Sequence, residues 1–154
     1  MNEDVTISEY IQTAVACTIA YCIPAVIFFR THAMLDSWIL YIGNITFIVV
    51  LSVATYFIHK RLHDETKMGK MIAVGMKLTI VSTLFTMLVI IALYYFFGSY
   101  KIPLNPSYIT ANSMLNILFL SVIVVNIFIG FIAVTLVAIV YNQIPKNING
   151  DDVT

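Results

Sequence analysis

Four long apolar runs, separated by short polar breaks, make up most of this chain: Ile11 to Phe29, Trp38 to Ile58, Met71 to Phe97 and Leu115 to Tyr141. A helix rising 1.5 Å per residue crosses the hydrocarbon core of a bilayer in about 20 residues, and each run meets that length. The runs are continuous rather than alternating, which excludes the dyad pattern of a membrane β-barrel, the other architecture that satisfies its backbone in lipid. The pattern predicts an all-α integral membrane protein: a single domain built as a four-helix transmembrane bundle.

Local signals sharpen the ends of these spans. Thr6-Ile7-Ser8-Glu9 reads as a capping box, so the first helix should begin near Ile7. Pro24 falls inside that helix, removes one backbone donor and should kink it toward its far end. Trp38 and Tyr41 open the second span as interfacial anchors, and the third closes on Tyr94, Tyr95, Phe96 and Phe97 before Gly98. Asn105-Pro106 reads as an N-cap followed by proline at the first helical position. An unbroken helix from there to Tyr141 would be 36 residues, roughly 54 Å, so Ser107 to Asn112 should lie in the interface or break from the span. The tail over 142–154 reads as short and disordered.

Composition agrees with a membrane protein: 60% of residues are hydrophobic, 10% are charged and mean hydropathy is +0.94, against roughly 25% charged in soluble domains. Eight acidic and eight basic residues cancel, so net charge gives no reason to expect nucleic acid, and only placement informs. The stretch from His59 to Lys77 holds five of the eight Lys and Arg residues and divides the chain into two hairpins. Lys60, Arg61, Lys67 and Lys70 lie in the break over 59–70, whereas the first and third breaks carry one base each, Arg30 and Lys101. By the positive-inside rule the basic break is cytoplasmic, giving an N-in/C-in topology with the cell inner membrane as the simplest setting. The acidic N-terminus is the reverse of a signal-peptide n-region, so the first run should remain as a span. Phe28-Phe29 and Phe96-Phe97 end the first helix of each hairpin, a weak hint of an internal two-plus-two repeat.

Projected at 100° per residue, each span carries a small or polar stripe. The stripes are Thr13, Ala16, Cys17, Ala20 and Pro24; Asn44, Ser52, Thr55 and His59; Gly75, Thr79, Ser82 and Thr86; and Asn112, Asn116, Asn126 and Gly130. Two readings stand. Small residues let helices approach and hydroxyls bond across the bundle, at roughly 0.6 kcal/mol each; or Asn44, Asn126 and the third-span hydroxyls line a polar path. The first is the more economical.

Absent residues narrow the chemistry. No Asp or Glu lies inside a span, which argues against proton-coupled transport. Lys77 stands about 160° from the Gly75/Thr79 stripe and should snorkel to the cytoplasmic headgroups, grouping with Lys60, Arg61, Lys67 and Lys70 as a lipid or partner contact. His59 and His63 are four apart, a spacing that can hold zinc, but a solvated helix end facing headgroups is the more economical reading, and no metal is expected. Cys17 and Cys22, about 140° apart on one helix, are badly placed to bridge. No nucleophile with a base, no C-x-x-C and no phosphate-cradling glycine loop is present, so neither an enzyme nor a cofactor is expected.

As a whole the chain resembles the uncharacterised four-span integral membrane proteins of bacterial genomes grouped as a domain of unknown function. The features that carry this are Trp38 and Gly43 opening the second span, the segment Gly69, Ala73, Gly75 and Lys77, and Gly130 in the last span. The resemblance implies the fold and no activity. The functional expectation is a non-enzymatic protein acting by helix association, as an accessory subunit of a membrane partner or a small homo-oligomer. The alternative is a passive channel or carrier for a small neutral solute.

Overall fold

The computed structural model describes residues 5–31, 38–62, 68–97 and 119–143. These residues form helices α1 (Ile7–Thr31), α2 (Trp38–Arg61) and α3 (Met68–Phe97), then a π-helical stretch Leu120–Val125 that runs into α4 (Asn126–Gln143). Among the described residues there is no strand, and four helical segments are long and apolar enough to cross a membrane. The predicted bounds differ at the basic break. His59 to Arg61 complete α2, and α3 begins at Met68, so Gly69 to Lys77 is helical throughout. Asn142 and Gln143, read as the start of the tail, complete α4, and the rest of the tail and the expected turns at Ser107 to Asn112 lie outside the described residues.

The first helix starts where its cap predicted. Glu9 reaches back and accepts from the Thr6 backbone N–H at 2.9 Å, while the Thr6 hydroxyl donates to the same carboxylate at 2.9 Å. Arg61 clamps Glu9 at 2.7 Å and ties the end of α2 to the start of α1. Its guanidinium side is 45% exposed, so the pair fixes geometry more than it stabilises.

The helices run alternately up and down. At one end Glu9 meets Arg61, His59 meets Met71, and the His59 and Tyr141 rings touch; at the other end Phe29 meets Tyr94. The four helices make a square in which α1 packs on α2 and α3, and the last helix packs on the same two. Helices α2 and α3, consecutive in sequence, sit across one diagonal.

The outside differs from that of a soluble bundle. The outer face of α1 is a row of exposed aliphatics, Ile11, Val15, Ile19, Ile23 and Ile27, and α4 exposes Phe128, Ile132, Leu136 and Val140. Among the described residues ten polar side chains are buried beside an apolar core, and an exterior of exposed aliphatics suits surroundings that are themselves apolar.

The proline in α1 shows how such an interior is kept satisfied. Pro24 has no N–H to give Ala20, its partner four residues back. The Thr46 hydroxyl of α2 donates to that Ala20 carbonyl at 3.0 Å, and α1 continues through Pro24 to Thr31.

The repeat hint finds no echo in packing: Phe28 and Phe29 are buried, whereas Phe96 is 79% exposed. The inward face of α1 also differs from the predicted stripe. Thr13, Cys17 and Pro24 are buried, but Ala16 is exposed and Ala20 half-buried, and Ala14, Thr18, Tyr21 and Ala25 complete the face. The physical reason is Tyr21, whose ring fills the notch at Gly43: a Cβ there would lie 3.3 Å from the ring. A large side chain opposite a glycine packs as closely as two small ones.

Candidate functional site

The centre of the bundle holds two polar levels of different character. The first is the α3–α4 seam. A Cβ on Gly130 would lie 2.6 Å from Thr79 Cγ2, and one on Gly75 would lie 2.8 Å from Val134 Cβ. Neither distance is tolerable, so glycine at both positions is what lets these helices meet. Thr79 donates its hydroxyl to the Gly75 carbonyl at 2.9 Å, and Thr55 does the same to Leu51 at 2.7 Å. Back-bonding of this kind hides a hydroxyl within its own helix. The seam is closed and its bonds are made.

The second level follows by helix register. Gly130 abuts Thr79 and Leu51; one turn onward are Asn126 on α4, Ser82 and Thr83 on α3, and Phe47 on α2. Asn126, Ser82 and Thr83 are 0%, 0% and 1% exposed. Both amide atoms of Asn126 and the Thr83 hydroxyl oxygen lack a hydrogen-bond partner, while the Ser82 hydroxyl has the Cys17 sulfur of α1 beside it. A buried orphan of this kind costs about 1–3 kcal/mol, and the Asn126 amide leaves two such atoms on one side chain.

Around this level the polar side chains are bonded in part. Thr86 donates to the Ser82 carbonyl at 2.8 Å, so its oxygen accepts from Thr18 of α1 at 2.9 Å. Asn44 of α2 donates to Ser121 at 3.0 Å, leaving its own Oδ1 unpaired. Tyr21 lies beside Ser121, but its hydroxyl is outside bonding geometry. Ser121 belongs to the π-helical stretch Leu120–Val125. Single π turns recur where a helix must re-aim side chains at a functional position, and here the stretch sets Ser121 on Asn44 just ahead of Asn126.

Of the residues singled out from sequence, Asn44, Thr55, Thr79, Ser82, Thr86 and Asn126 are buried and Ser52 is half-buried. Asn116, with Asn112, lies outside the described residues. Sequence reasoning passed over Thr18, Tyr21, Thr83 and Ser121. Thr18 and Thr83 were each next to a chosen residue, Cys17 and Ser82, and a wider arc would have caught both. Ser121 depends on the π turn, for which LSVIVV carries no signal.

The basic end departs from expectation at one residue. His59 is 0% exposed, which agrees with its place on the inward stripe of the second span and not with a solvated, headgroup-facing helix end. Its Nε2 meets the Met71 carbonyl at 3.1 Å, so that nitrogen carries the proton, and its ring meets Tyr141 edge-on. The cause is the early start of α3, which brings Met71 over the end of α2. His63 and Lys67 lie outside the described residues, and among the described residues no three His, Cys, Asp or Glu side chains converge as metal ligands. Lys60, Lys70 and Lys77 are exposed, and Arg61 is engaged by Glu9. Cys17 and Cys22 are free thiols.

Compared with family models, curated proteins and solved structures, the chain found no match.

Proposed function

We propose that this is a non-enzymatic multi-pass membrane protein that admits a small, neutral, hydrogen-bonding solute to its polar interior and lets it cross passively. The observation that carries the reading is Asn126: fully buried with both amide atoms unpaired, and by helix register one turn from the seam, at the height of Ser82 and Thr83. An amide beside two hydroxyls offers donors and acceptors without charge, which suits a neutral solute and rejects ions. The closed seam at Gly75 and Gly130 makes the protein a gated carrier rather than an open pore, since passage requires α3 and α4 to part.

Helix association, the simpler reading of the small-residue stripes, loses support because Gly43, Gly75 and Gly130 are all buried against the chain's own helices. The exposed faces are large aliphatics that suit lipid. An accessory role is supported instead at the basic end, where Lys60, Lys70 and Lys77 are exposed and could meet an acidic soluble partner. By the positive-inside rule the same bases support a cytoplasmic setting for that end, and so an N-in/C-in topology, with an inner membrane as the simplest setting.

The test is glycerol efflux from proteoliposomes by stopped-flow light scattering. The protein should raise glycerol permeability above that of empty vesicles, and Asn126→Leu should return it to that baseline. Equal rates with and without protein, or an undiminished rate in Asn126→Leu, would remove the reading. Cross-linking in cells that captured a soluble partner, lost in a Lys60/Lys70/Lys77→Gln variant, would favour the accessory role.

A further inference from the structure

At the basic end, between the start of α1 and the first turns of α3, lies a groove of about 610 Å³ lined by Val5, Tyr10, Lys70, Ala73, Lys77 and Ile80, among others. We infer that it seats one phospholipid with an anionic headgroup, the phosphate between Lys70 and Lys77 and an acyl chain along Ala73, Ile80 and Tyr10.

Lys70 and Lys77 are seven residues apart, on one face of α3 and about 10.5 Å apart along its axis. Side chains on a helix lean toward its N-terminus, so both lysines extend toward the headgroup end of the groove, and a phosphate seated between them is met by Lys77 from below and by Lys70 from above. Polarity along the groove matches an amphiphile: Lys70 lies in the first turn of α3, Lys77 further in, and only apolar Ile80 and Val81 beyond. The acid next to Tyr10 on α1, Glu9, is occupied by Arg61 and the Thr6 amide, so its charge is compensated before a phosphate arrives. The groove also gives a reason for Lys77, the one base set nine residues into an apolar helix. A lysine there costs about 2.5–3.5 kcal/mol at mid-membrane and much less when it holds a headgroup phosphate.

The test is native mass spectrometry and thermal unfolding of the detergent-purified full chain, titrated with phosphatidylglycerol, phosphatidylcholine or inorganic phosphate. One phosphatidylglycerol should stay bound and raise the melting temperature, with neither of the others doing so. Lys70→Gln/Lys77→Gln should weaken that binding about tenfold or more, while Lys60→Gln, exposed at the same end but outside the groove, should leave it unchanged. Because these lysines are exposed, the variants should fold, which their lipid-free melting checks. Equal stabilisation by phosphatidylcholine or by inorganic phosphate overturns the inference, as does unchanged phosphatidylglycerol binding in the double variant.

Discussion

At Gly130 the last helix touches Thr79 so closely that a single added carbon would sit 2.6 Å from a methyl group, and the Thr79 hydroxyl is tied to its own helix at Gly75. One turn away by helix register, the Asn126 amide and the Thr83 hydroxyl are buried with no hydrogen-bond partner. Both levels are made of the small and polar residues that a hydropathy reading groups together. What separates them is whether each hydroxyl finds a carbonyl four residues back and whether a glycine stands opposite. Where both hold, polar residues act as packing material; where neither holds, a polar group is left buried at a cost in a medium that cannot solvate it.

The most disruptive way to probe this contrast is at the seam. Gly130→Ala should destabilise the folded chain by about 1–3 kcal/mol, the usual range for overpacking, measured by denaturant unfolding in detergent. The obstacle is one methyl, Thr79 Cγ2, so adding Thr79→Ser should recover at least half of the loss. A double variant as unstable as the sum of the two singles would show that the helices do not meet as described. Next in size, Asn126→Leu replaces an unpaired buried amide with an apolar side chain of similar shape and should stabilise by about 1 kcal/mol, even as it abolishes solute passage. A loss of stability instead would mean that the amide is bonded within the bundle. Smallest is the glycine control: a Cβ on Gly69 meets nothing within 4 Å, so Gly69→Ala should be neutral or stabilise by at most about 0.5 kcal/mol. A penalty matching Gly130→Ala would erase the distinction between seam glycines and the others.

The sequence made the spans legible because lipid leaves a chain few options, and a run such as Ile11 to Phe29 can satisfy its backbone only as a helix. The start at Ile7 was readable for a similar reason, since the capping residues act locally. What escaped depended on partners distant in the chain. Tyr21 enters the core because Gly43 makes room for it, which a rule favouring small residues at interfaces overlooks. His59 is buried because α3 starts early enough to present the Met71 carbonyl; its own neighbours, Lys60 and Arg61, argue for solvent. Asn126 was chosen for its angle alone, and its angle could not say whether the amide would be paired like Asn44 on Ser121 or left open.

The most direct measurement is water-edited solid-state NMR of the chain in lipid bilayers, comparing polarisation transfer from mobile water to the Asn126 side-chain amide and to the Val134 methyls. The account predicts rapid transfer to Asn126, as for a hydrated or solute-accessible group, and slow transfer to Val134 in the dry seam. Transfer equally slow at both would contradict it, making the whole interior a sealed packing core.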